Sequence, residues 1–167
     1  MSMKMYVLQV KSGCETSAYQ QLKERGFDVL LPMKKEYIRK NGKWELREKI
    51  IFTQYLFISC DLTNKQIYYE IKKTDGVIRF LGNENGKRIQ SLYPYEQEYI
   101  RWLWNGGKPA EPSKIYVTMY GDKFVMSGML RDYSGDEIDY NVRQRKASVY
   151  ITIAGKRYKV TLPIDCI

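Results

Sequence analysis

The stretch "IIFTQYLFIS", Ile50 to Ser59, decides how the first two-thirds of this chain is read. As a strand it points Ile50, Phe52, Leu56 and Ile58 to one side and Ile51, Tyr55 and Phe57 to the other, so it is apolar on both faces. One face must be core. What covers the second face bears directly on function.

Working outward, "KMYVLQV" reads as a first strand, and "SGCETSAYQQLKERG" as a helix opened by a capping box from Ser12 to Glu15 and closed at Gly26. "FDVLLP" is a short strand. Asn41-Gly42, inside "KKEYIRKNGKWELREK", is the strongest short hairpin signal available and predicts a polar hairpin projecting from the body. After the stretch 50–59, "TNKQIYYEIKKTDG" predicts a second helix with Thr63 and Gln66 as its box and Gly76 as its stop, and "VIRFLG" a further strand. The order β-α-β-β-α-β is the ferredoxin-like, split-βαβ arrangement, an antiparallel sheet with both helices on one face. "YPYEQEYIRWLWN" adds a third helix, with Pro94 tolerated in its first turn.

Glycines and prolines collect in "GGKPAEPSK", which reads as a linker. Beyond it come short strands, "IYVTM", "KFVMSG", "SVYITI" and "RYKVTL", with turns at Ser134-Gly135 and Gly155, a pattern that suggests a small β-barrel closing its own edges. The chain is therefore expected to be α+β, with a first domain over 1–105, a linker over 106–114 and a second domain over 115–167.

Lys and Arg number 28 against 19 Asp and Glu, for a net charge of +9, and 15 tyrosines accompany them. Basic charge releases counterions from phosphate backbones and aromatic rings stack on bases, so nucleic acid leads the partner classes. A merely basic, soluble protein with tyrosines in its core is the plainer reading of the same numbers. There is no histidine, which closes imidazole catalysis and most zinc hydrolases. Cys14, Cys60 and Cys166 are widely spaced and form no CxxC, so neither a disulfide framework nor a metal site is expected. "LGNENGKRI" is only superficially like a phosphate-binding loop. No enzyme activity and no cofactor are expected. No stretch approaches the roughly 20 apolar residues of a membrane helix, and the start does not look like a signal peptide, so the expected location is the cytoplasm, without membrane contact.

In order and spacing, these segments resemble the NusG family of transcription elongation factors over nearly the whole chain. "YVLQVKSGCE" is similar to the family's first strand and helix start, "FTQYLFIS" to its Phe-Pro-Gly-Tyr-Leu-Phe-Val signature, and "GVIRFLG" to its last sheet strand. The second domain resembles a KOW domain in "GDKFVMSGMLRDYSG", "RQRKA" and "ITIAGKRYKVTL". The resemblance implies an N-terminal NGN domain followed by a small SH3-like barrel. It also implies docking of the NGN aromatic surface on the clamp helices of the largest RNA polymerase subunit, through Tyr55 and Phe57 with Ile51 beside them. The other reading of these three residues is that they pack beneath the helix 94–104 or the hairpin.

The resemblance places Tyr19, Lys23, Lys34, Lys35 and Arg39, with Lys40 and Lys43, on the side near upstream and non-template DNA. Where the family commonly has a phenylalanine used for ribosomal protein S10 or the termination factor Rho, this chain has Ala154, which weakens both partners. Instead, the segment 143–159 holds Arg143, Arg145, Lys146, Lys156, Arg157 and Lys159 and no acidic residue. If pairing brought 143–146 beside 156–159, with Arg131 on a nearby loop, the result would be a face for hairpin RNA. An incidental basic surface is the alternative. The resemblance implies a specialised paralogue, most like the LoaP group, that promotes antiterminated transcription of particular operons. Alternatives are a general adaptor to S10 or Rho and a stand-alone RNA-binding module. A monomer is expected.

Overall fold

The computed structural model describes residues 3–82, 88–133, 135 and 137–167. The Ser134 turn and most of the 81–89 loop lie outside the described residues. The N-terminal half runs β1 (Lys4–Val10), α1 (Glu15–Glu24), β2 (Asp28–Leu30), β3 (Met33–Lys40), β4 (Lys43–Ile50), β5 (Tyr55–Cys60), α2 (Lys65–Lys72), β6 (Val77–Phe80) and α3 (Pro94–Trp104). Four of the strands form an antiparallel sheet in the order β2-β5-β1-β6, the ferredoxin-like order. β3 and β4 form the separate hairpin, closed as read through Asn41 and Gly42 at φ 51° and 76°.

The sheet's two faces follow from strand alternation. Tyr6, Leu8 and Val10 of β1 and Leu56, Ile58 and Cys60 of β5 pack with Ala18 and Leu22 of α1 and Ile71 of α2. Met5, Val7 and Phe57 point the other way, into a cluster with Ile100 and Leu103 of α3. Three details differ from the sequence reading. Residues 50–59 are not one strand: Ile50 ends β4, residues 51–54 turn, and Phe52 swings to the side of Phe57. The turn exists because Val10 N–H donates to the Gln54 carbonyl (2.8 Å) while the Gln54 N–H donates to the buried Glu15 carboxylate (3.0 Å). The same bond removes the capping box expected at Ser12, since α1 is capped at Cys14 without a side-chain bond. In α2 the cap is Asn64, whose side chain accepts from Gln66 N–H, while Thr63 bonds Asp61.

The C-terminal half comprises β7 (Ser113–Val117), β8 (Lys123–Ser127), β9 (Asp139–Asn141), β10 (Lys146–Ile153) and β11 (Lys156–Cys166). They form one curled sheet in the order β8-β7-β11-β10-β9, a half-barrel in which β7 runs parallel to the end of β11. Its interior residues Ile115, Val149, Ile151, Val160, Leu162 and Ile164 belong to the same cluster as Phe57 and α3. The two halves thus share a core. The 106–114 segment is pinned: Ala110 is fully buried, donates to Met33 C=O and accepts from Lys35 N–H, each at 2.9 Å, and β7 starts already at Ser113.

Candidate functional site

The aromatic face begins with Phe57, 1% exposed, packed edge-on against Phe52 at 5.4 Å between ring centroids. Phe52 in turn meets Tyr158 of β11 edge-on at 5.8 Å. Ile51 and Tyr55 are half-buried against the same cluster. Burial, and then the neighbouring Tyr55 hydroxyl, push the Tyr158 phenol above its ordinary range. Phe57 is therefore core in this arrangement. The cause is the pleat, which aims it at α3 and the half-barrel. Ile51 and Tyr55 form the rim of that face. Around it, Trp102 Nε1 donates to Met129 C=O (3.1 Å), Gly155 N–H donates to the buried Glu96 (3.3 Å), and Lys34 Nζ donates to Thr161 C=O (2.7 Å). The middle of the hairpin is tied as well, through Tyr37 O–H donating to Asp165, so β3 and β4 do not simply project.

The basic residues do not form one face. The two-residue turn at Ala154-Gly155 sets a register in which Lys156 pairs with Ile153, Arg157 with Thr152 and Lys159 with Tyr150, whereas Lys146 pairs with Pro163. At about 3.3 Å per residue, Lys146 and Lys156 lie roughly 23 Å apart. The expected juxtaposition of 143–146 with 156–159 is thereby corrected. At one end the Arg157 guanidinium sits 4.3 Å from the Tyr150 ring centroid, with Lys156 and Lys159 exposed. Arg131 lies on the short helical turn Met129–Asp132 and reaches Met126 C=O. At the other end Arg143, Arg145 and Lys146 face the hairpin, where Arg145 stands over Tyr37 and Trp44 at 5.1 and 5.2 Å.

Of the residues read as DNA contacts, Tyr19 and Lys23 meet each other on α1, Nζ to hydroxyl at 3.0 Å. Lys34 is engaged inside the fold with Thr161 and Glu36, and burial holds its ammonium below its ordinary range although Glu36 opposes the shift. Lys35 pairs with Glu111, and Arg39 packs over Trp44 at 5.3 Å. A surface the sequence reading passed over is the β7–β8 hairpin, which exposes Tyr116, Met119, Tyr120, Phe124 and Met126. Its signal was the strong apolar content of "IYVTMYGDKFVM", whose two ends were read as strands of a small barrel.

The family profile described as "Transcription termination factor nusG" matches residues 3–101. The chain belongs to the NusG family. Among its relatives, the transcription termination/antitermination protein NusG of Thermus thermophilus is 30% identical, over 97% of this chain and 96% of the relative. That of Bacillus subtilis is 27% identical over the same shares. A solved structure described as "Domain interaction in Thermotoga maritima NusG" superposes with a TM-score of 0.58 at 19% identity, covering 98% of this chain and 95% of that one. It supports the two-part fold.

Thr53 and Gln54 sit in the turn that precedes Tyr55 at the start of β5. Gln54 takes φ 70°, a conformation glycine adopts freely, and its N–H is held by Glu15. Burial alone would raise the Glu15 carboxyl, but N–H bonds from Gln54, Glu15 itself and Gly13 outweigh it and hold the group below its ordinary value. Ala154 likewise stands at φ 52° in the β10–β11 turn. Among the described residues no helix is long and apolar enough to cross a membrane, and no cluster of His, Cys, Asp or Glu could hold a metal.

Proposed function

We propose that this NusG-family chain is a specialised elongation and antitermination factor, most like the LoaP group. It holds the clamp helices of the largest RNA polymerase subunit with its N-terminal half and structured nascent RNA with its C-terminal half, as a monomer in the cytoplasm. The observation that carries the reading is the composition of the aromatic face. Phe52, Tyr55 and Phe57 are completed in part by Tyr158, a residue of the other half of the chain. A face closed by a separable half is one that a partner can occupy when that half moves away, and aromatic anchors suit such an interface. Bound across the cleft, the factor makes the rearrangements of pausing costlier. Charge reversal at the rim tests this: Tyr55→Asp in a variant of unchanged thermal midpoint is expected to weaken polymerase binding at least tenfold. Unaltered binding would refute the clamp contact.

For the RNA half, Arg145→Ala and Arg157→Ala are each expected to lower affinity for a hairpin RNA and to flatten its salt slope by about one contact. The exposed apolar β7–β8 hairpin favours a second reading, a general adaptor to S10 or Rho, because a contiguous apolar patch usually marks a protein interface. Micromolar S10 binding lost in Phe124→Ser would establish that reading instead.

A further inference from the structure

Between the β3–β4 hairpin and the turn Val142–Gln144 lies a cleft of about 520 Å³, lined by Tyr37, Arg39, Trp44, Arg143, Gln144 and Lys146. The volume falls in the range of small-ligand sites. Its walls come from both halves of the chain, so no single sequence segment announces it. Three of the six lining residues are cationic and none is acidic. Among the described residues, Arg39, Arg143 and Lys146 take part in no ion pair. The aromatic wall is braced: Tyr37 and Trp44 meet edge to face at 6.2 Å, and Arg145 spans both rings. Tyr37 is further fixed by its bond to Asp165.

Uncompensated cations around a braced aromatic wall call for a ligand that is both anionic and flat. A folded duplex offers phosphates and keeps its bases stacked away. An unpaired nucleotide offers a base to stack on rings or guanidinium planes and a phosphate on either side. We propose that this cleft binds an unpaired nucleotide of single-stranded RNA, the base packing on the Trp44 and Tyr37 wall and the flanking phosphates held by Arg39, Arg143 and Lys146. Gln144, exposed beside them, supplies an amide for a base edge or a 2′-hydroxyl. The proposal rests on the reading that the C-terminal half meets nascent RNA, and it adds a single-stranded element, such as a loop or flank, to the paired one.

The test is fluorescence anisotropy of the full chain with three labelled probes: oligo-uridylate, oligo-thymidylate of equal length, and a blunt, fully paired RNA duplex. Trp44→Ala and Arg143→Ala are each expected to weaken oligo-uridylate binding about tenfold, with duplex binding changed less than twofold. Trp44→Phe should recover most of the loss. Lys156→Ala with Arg157→Ala, at the far end of the strand pair, should have the opposite selectivity. Trp44 lies on the hairpin outside both buried clusters; should its replacement lower the thermal midpoint, Arg143→Ala carries the test, since that exposed side chain makes no hydrogen bond or ion pair among the described residues. Unchanged oligo-uridylate binding in both variants overturns the cleft while leaving the RNA reading intact if the duplex still binds. Binding of none of the RNA probes overturns both. Tighter oligo-thymidylate binding with the same residue dependence overturns the assignment to RNA.

Discussion

At the residue scale the informative position is Gln54. A non-glycine side chain at φ 70° costs about 1–2 kcal/mol, against which glycine loses about 0.5–1 kcal/mol of unfolded-chain entropy. Gln54→Gly keeps both backbone bonds of the turn and is expected to stabilise the fold by about 0.5–1 kcal/mol, while Gln54→Val, β-branched, should lose more than about 1 kcal/mol. Urea midpoints at constant slope measure both. Its partner Glu15 adds a pH dependence. Because the native carboxyl is held below the ordinary glutamate value of 4.5, its stabilisation is fully present above that value and is lost as pH falls through the lower native one. Glu15→Gln should therefore destabilise by about 1–2 kcal/mol at pH 7, and the gap to the parent protein should shrink steadily below pH about 4. None of this was legible in the sequence. The Ser12–Glu15 spacing matched a capping box, but a tertiary N–H at Gln54 competed for the carboxylate and won.

At the element scale, the three helices, most strands and their order were legible because alternation and turn chemistry are local signals, whereas the three-residue β9 and the break at 51–54 were not. Asn41-Gly42 closed its hairpin as read. What local signals do not carry is where one strand's residues end up along another. The basic segment read as one face on the premise that strand pairing brings 143–146 beside 156–159, a register that composition and turn signals do not specify. The register set by Ala154-Gly155 splits it into two ends of one strand pair, and Arg143 and Lys146 find Trp44 and Tyr37, about a hundred residues earlier in the chain. The turn that sets this register can be strengthened. Asn tolerates the left-handed conformation better than Ala, and Asn-Gly is the preferred pair for a two-residue hairpin. Ala154→Asn should raise stability by a few tenths to about 1 kcal/mol without changing RNA affinity at either end. A changed affinity would place the turn itself in the RNA contact.

At the scale of the whole molecule, two domains joined by a linker were expected, with contact between them left open, and the structure shows a shared apolar cluster with Ala110 locked between them. The linker's glycines and prolines said nothing about what the neighbouring residues bury. The consequence is thermodynamic. If the aromatic face serves the polymerase, its apparent affinity is reduced by the fraction of molecules in which Tyr158 has left Phe52 and Tyr55, and any change that raises that fraction tightens binding by the same factor. Tyr158→Ala with Asp165→Ala removes the edge-on ring contact and the Tyr37 bond while leaving the curled sheet's interior residues in place. The double variant should show a larger radius of gyration by X-ray scattering and roughly tenfold or greater gain in affinity for a clamp-helix fragment. Adding Tyr55→Asp should abolish the gain. Expansion without tighter binding would mean that the face closed by Tyr158 is only a core, and that a polymerase contact has to be sought elsewhere on the N-terminal half.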